Sequence, residues 1–264
     1  MRSAITIAKK ELSIFLTTPI AYVFFMVTAF VSALFLNNLV ERYRLLTMQA
    51  MRQNQQMLEQ LNLTDRVVTP IFGVMSFVFM ICIPFVAMGL LADEKKARTF
   101  ELLMTYPVRP IQIVLGKYLA GLVVVVIGIA IVALFPCILS MYGENAGGGG
   151  SALDWPTVLN GILGLFLFGA MCLSVVLFCS SVTNSSIVAA LVSFITLFLL
   201  WVMSFLAGSA DGSLRDLLAA ISSSDHFAAF ISGQIALKDV FYFVSFVVLG
   251  LYLTDRAIEG HRWA

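Results

Sequence analysis

The sequence predicts an all-α polytopic membrane protein with six transmembrane helices, and three observations carry that prediction. Of the 264 residues 60% are hydrophobic and 12% charged, with a mean hydropathy of +0.97, whereas a soluble domain carries about 25% charged residues. Six apolar runs occur, at 20–39, 70–92, 112–140, 157–182, 186–206 and 239–255. Most of them approach or exceed the roughly 20 residues that cross about 30 Å of hydrocarbon. The charges between the runs segregate by side. The whole chain, 1–264, reads as a single transmembrane domain.

Lys and Arg set the orientation. With the N-terminus inside, the cytoplasmic segments hold Arg2, Lys9, Lys10, Lys95, Lys96, Arg98, Arg109, Lys117, Arg256 and Arg262, and the outside holds Arg42, Arg44, Arg52, Arg66, Arg215 and Lys238. Ten against six predicts both termini inside. The net charge of +1 gives no electrostatic case for nucleic acid as a partner. The lipid bilayer is the partner that composition demands.

Residues 3–17 form an amphipathic helix too short and too polar to span. Ala4, Ile5, Ile7, Ala8, Leu12, Ile14, Phe15 and Leu16 share one arc, while Lys9 and Lys10 lie on the other, toward headgroups. Glu11 sits within the apolar arc, where a lone carboxylate is costly. It calls for a partner on a cytoplasmic loop or at the end of a span, or for a sideways route to water. Pro19 ends this helix and turns the chain into the first span.

Residues 40–69 contain good helix formers and no Gly, and no Pro, so the first span is expected to continue outside as an external helical hairpin. It reads as a docking surface or as a solvated hairpin. Pro84 and Pro136 predict kinks or breaks in the second and third spans. The loop at 141–156 has no Lys or Arg and reads as external. Between spans five and six, Leu214–Ile221 and Phe227–Leu237 are each too short to cross. They predict a pair of short external re-entrant or interfacial helices, with Ser222, Ser223, Ser224 and Asp225 as caps.

The polar stretch Asp93–Lys117 between two apolar runs is where function is expected. Over 94–106 it reads as a cytoplasmic coupling helix: Glu94–Arg98 and Arg98–Glu101 have ion-pair spacing, and Ala97, Phe100, Leu103 and Met104 gather on another face. Tyr106-Pro107 stops it, and Val108-Arg109-Pro110 makes a rigid turn into the third span.

Other chemistry is missing from the sequence. There is no P-loop motif, no Ser/His/Asp set, no His-Glu-x-x-His and no Cys/His cluster, so neither catalytic nor metal-ligating residues are expected and the chain is not an enzyme by itself. Cys82, Cys137, Cys172 and Cys179 lie in apolar runs and read as packing residues. No carboxylate, Lys, Arg or His falls at the middle of a run, which argues against a proton- or ion-coupled carrier. A membrane pathway driven from elsewhere remains.

The segment EKKARTFELLMTYPVRPIQIVLGK, from Glu94 to Lys117, resembles the signature loop of ABC-2-type transporter permeases. KKELSIFLTTPIAY, residues 9–22, resembles that family's N-terminal interfacial helix. The stretches 61–73 and 225–263 resemble the gliding-motility-associated branch, with similarity also to the permease of nitrous oxide reductase maturation. Arg98 stands where many members have Gly or Ser, which changes local charge only.

The resemblance implies a six-span permease subunit in a bacterial inner membrane, paired with a second permease subunit, expected as another copy of this chain, and with two ABC ATPase subunits. Mg-ATP would belong to the ATPase, with no cofactor in this chain. The coupling and ATPase-contact residues would be Glu94, Lys95, Arg98, Thr99, Phe100, Glu101, Leu103, Met104, Tyr106 and Pro107, with Lys9, Lys10 and Glu11 on the interfacial helix. A membrane-anchored protein with an external domain is the further implied partner. Two functions follow: ATP-driven export, or mechanotransmission to the external partner without movement of a solute.

Overall fold

A computed structural model describes residues 2–53, 62–97, 109–143, 153–209 and 211–263. Among them every regular element is helical. In chain order these are α1 (Arg2–Thr17), α2 (Pro19–Gln53), a π-helical turn (Thr64–Val68), α3 (Thr69–Ala87), α4 (Gly89–Lys96), α5 (Pro110–Gly143), α6 (Trp155–Val182), α7 (Ser186–Ser209), α8 (Ser213–Ile221), α9 (Ser223–Ile231) and α10 (Leu237–Trp263). Six segments are long and apolar enough to cross a membrane: Pro19–Arg52, Thr64–Lys96, Pro110–Ser140, Trp155–Val182, Ser186–Ser209 and Leu237–Gly260. An even number of crossings returns both ends of the chain to one face.

α6 is the axis of the bundle. Its apolar window is 72% buried, against 22% for those of α2, α7 and α10, so it packs inside the bundle while they lie at its outside. Small residues explain its place. A methyl group added at Gly161 would lie 2.6 Å from the Phe72 ring, and one at Gly164 would lie 2.6 Å from Phe230 Cβ. In lipid, close backbone approach of this kind drives helix association. α3 turns Phe72, Met75, Phe79, Met80 and Ile83 inward, at helical spacing, and all are essentially inaccessible. Phe79 meets Phe24 of α2, with ring centroids 5.5 Å apart.

α2 continues as one helix of 35 residues, about 52 Å long at 1.5 Å per residue. It therefore reaches about 20 Å beyond a hydrocarbon core of about 30 Å. The expected external hairpin at 40–69 is described up to Gln53 and again from 62, and 54–61 fall outside the described residues. On its return the chain forms the π-helical turn, where Thr64 Oγ1 accepts from the Asp154 N–H at 2.9 Å.

Two expectations are corrected. Neither proline breaks its helix where it stands, since α5 runs through Pro136 and α3 through Pro84. The second short helix after span five occupies Ser223–Ile231 rather than 227–237, because Ser222 Oγ accepts from the Asp225 N–H at 3.3 Å and starts it four residues earlier. Gly233, at φ 80°, follows its end. Span two is instead interrupted at Met88, where α3 stops at Ala87 and α4 starts at Gly89.

Candidate functional site

The face of the bundle that carries α1 gathers charged side chains at the ends of spans two and three. Successive helical residues point about 100° apart, since a turn holds 3.6 residues. The consecutive Asp93, Glu94 and Lys95 at the end of α4 therefore reach three different helices. Asp93 accepts a hydrogen bond from Ser186 Oγ at the start of α7. Lys95 Nζ donates to the Ser181 carbonyl near the end of α6. Glu94 Oε1 lies 2.9 Å from Lys117 Nζ on α5.

Lys117 is the hub. It is 1% exposed, and its ammonium also lies 3.1 Å from Glu11 Oε1 on α1. One cation thus holds carboxylates from an interfacial helix and from the end of span two. Glu11 is 8% exposed. The carboxylate inside the apolar arc finds its partner at the end of a span, not in water. A buried pair of this kind contributes little net stability against an apolar replacement, but removing one member leaves the other charge uncompensated.

α1 lies directly against α5 because Gly116 has no side chain. A Cβ there would sit 2.8 Å from Ile7 Cγ2 and 2.9 Å from the Ala4 carbonyl oxygen. Gly116 and Lys117 act as a unit, the first allowing the approach and the second fastening it. Lys9 and Lys10 point away from this contact and are exposed.

The break in span two is held open by a neighbour. Ser180 Oγ of α6 donates to the Met88 carbonyl at 2.8 Å and accepts from the Leu91 and Ala92 N–H groups at 3.2 and 3.0 Å. Ser180 is fully buried. A side chain from another helix thereby hydrogen-bonds the backbone where α3 gives way to α4, as tolerated breaks in membrane helices require.

Glu94 and Lys95 close span two rather than open a separate helix: α4 ends at Lys96 and Ala97 caps it, with its N–H on the Asp93 carbonyl. Of the residues singled out in the sequence, Glu11, Glu94 and Lys95 come together here. Arg98, Thr99, Phe100, Glu101, Leu103, Met104, Tyr106 and Pro107 lie outside the described residues, and with them the Glu94–Arg98 pairing. Lys117 and Ser180 were not singled out as site residues. Lys117 carried a signal, being a cation seven residues inside a span that begins at Pro110. Ser180 carried none. Among the described residues no group of His, Cys, Asp and Glu could hold a metal ion.

The arrangement ties three helices together through one lysine. The segment 98–108 leaves α4 and re-enters at α5, and the Glu94–Lys117 pair ties those two helices together. A family model described as ABC-2 family transporter protein matches residues 5–254. No curated protein matches the chain.

Proposed function

The chain belongs to the ABC-2 transporter family, and from that membership we propose how its charged joint serves the transport complex. It is a multi-pass membrane permease component of an ABC transporter, and the family implies association with an ABC ATPase. In the proposed working cycle, a separate ATPase presses on the segment beginning near Glu94, and spans two and three move together with α1. The observation that carries this reading is the buried Glu11–Lys117–Glu94 set at the root of that segment. Because Lys117 bonds both carboxylates, displacement of either flanking span is passed to the other and to the interfacial helix.

Within this reading the complex holds two ATPase subunits, each with Mg-ATP, and a second copy of this chain, in a bacterial inner membrane. The ATPase contacts are Glu94, Lys95, Arg98, Thr99, Phe100, Glu101, Leu103, Met104, Tyr106 and Pro107, while Lys9 and Lys10 of α1 rest among headgroups. The length of α2 favours a second function beside export, because a helix reaching about 20 Å past the hydrocarbon is suited to pass motion to a protein with an external domain, as in the gliding-motility-associated branch.

The experiment is charge reversal in the contact segment. Glu101→Arg is expected to leave the chain inserted and its thermal midpoint unchanged, while ATPase co-purification and stimulated ATP hydrolysis fall at least tenfold, the equivalent of about 1.4 kcal/mol of contact energy. Unchanged co-purification and hydrolysis would sink the assignment.

A further inference from the structure

The two short helices between spans five and six have different surroundings. α9 is embedded in protein. Phe227 and Phe230 are buried, Ser224 Oγ donates to the Trp201 carbonyl, Thr69 Oγ1 donates to the Ile231 carbonyl, and Asn160 Nδ2 donates to the Gly233 carbonyl just beyond the helix. α8 has no buried residue at all. Leu214, Leu217 and Ile221, at i, i+3 and i+7, form one stripe along it and are 58%, 62% and 46% exposed. Arg215 and Asp216 lie off that stripe.

What covers the stripe follows from its neighbour. α7 is a membrane span, and Phe205 and Leu206 in its last turn are 70% and 48% exposed. A span's exposed apolar end faces acyl chains, and α8 begins only four residues after that span ends. Three side chains on a nine-residue helix offer far less than the roughly 800 Å² per partner that a stable protein interface buries. They suit an amphipathic helix at the level where acyl chains meet headgroups, with Arg215 extended toward the latter.

The C-terminal end of α8 is fastened to span six. Tyr242 Oη donates to the Ile221 carbonyl at 2.7 Å. His226 Nε2 lies 3.2 Å from the Ala220 carbonyl, and its ring stacks on Tyr242 with centroids 4.1 Å apart. A carbonyl oxygen brings no proton, so Nε2 carries one. His226 Nδ1 lies 2.6 Å from Asp239 Oδ1, in the first turn of α10, and Asp239 is 1% exposed. The last two carbonyls of α8 are therefore both held by groups that are themselves seated on the start of α10.

We propose that α8 is a lipid-surface helix on the face opposite the charged joint. Leu214, Leu217 and Ile221 enter that leaflet, and His226 and Tyr242 fix the helix's depth against the first turns of span six. The leaflet and span six are thereby mechanically connected.

The test places tryptophan on the stripe in the full chain, with Trp155, Trp201 and Trp263 replaced by Phe, in phosphatidylcholine vesicles. Leu217→Trp, or Leu214→Trp if the first variant fails to fold, is expected to be quenched severalfold more by acyl-brominated lipid than Asp216→Trp, and to resist aqueous iodide. Strong iodide quenching would place the stripe in water and overturn the proposal. Quenching by neither agent would place it under protein, a second copy included, and overturn it equally. Adding His226→Phe, Asp239→Asn and Tyr242→Phe is expected to remove the difference in Leu217→Trp quenching between shallow and deep bromines. An unchanged depth profile would overturn the fastening.

Discussion

Lys117→Met is expected to be the most damaging single substitution at the joint. It removes the cation that, among the described residues, bridges Glu11 and Glu94, and it leaves two carboxylates close together where Lys117 itself is 1% exposed. Breaking a buried pair by removing one partner costs about 3–5 kcal/mol. The purified variant is expected to show a clearly lowered thermal midpoint and ATP hydrolysis that no longer responds to the permease. The control is the neutral set Glu11→Gln, Glu94→Gln, Lys117→Met, which leaves no charge unpaired. It is expected to recover most of the lost thermal stability, since replacing a whole buried set is far cheaper than breaking it, while the coupled hydrolysis stays low. A Lys117→Met protein of unchanged midpoint and unchanged coupling would show that the joint bears no such role.

Gly116→Val is expected to separate α1 from α5. The added carbons enter a space already closed by Ile7 and by the Ala4 carbonyl oxygen, with the first of them within 2.8 to 2.9 Å. The Ile7 side chain can yield, but a backbone carbonyl cannot turn aside without moving its helix. Overpacking of this kind costs about 1–3 kcal/mol, and here it is relieved most easily by lifting α1. Spin labels at Lys9 and Arg109 would report the change: their distance distribution is expected to lengthen and broaden in Gly116→Val, and to a smaller extent in Gly116→Ala, whose one added carbon already meets the Ala4 carbonyl oxygen at 2.9 Å. A distribution identical to the parent's in the valine variant would refute the close approach.

The spans were legible because each is a long apolar run, and the interfacial helix because its apolar arc repeats at helical spacing. Glu11 could be read as needing a partner from the same arc, yet the partner's identity depended on which helix lies beneath it, and that depends on Gly116. The end of span two shows where sequence reasoning fell short. Glu94 has ideal spacing to Arg98, so local pairing suggested itself, while its contact 2.9 Å away with a lysine more than 20 residues along, on the next span, carried no local signal. Pro84 and Pro136 make the same point. Both remove a backbone donor, yet each lies inside a continuous helix, and span two stops and restarts only beyond Pro84, at Met88, beside Ser180 of another helix. The short helices after span five were readable in number and length, whereas their different environments were not, because burial of Phe227 and Phe230 rests on the small Gly164 across from them.

The serine in the break also makes a clock. The amide hydrogens of Leu91 and Ala92 bond to Ser180 Oγ, an atom of another helix. Elsewhere in a span an amide exchanges with solvent deuterium when its helix unwinds; these two are held by α6 as well, and lose that hold when span two and α6 part. Their protection, measured against amides a turn away in α3, is expected to fall during ATP turnover and to return when turnover stops, so that two backbone positions record the opening of the joint in unlabelled protein.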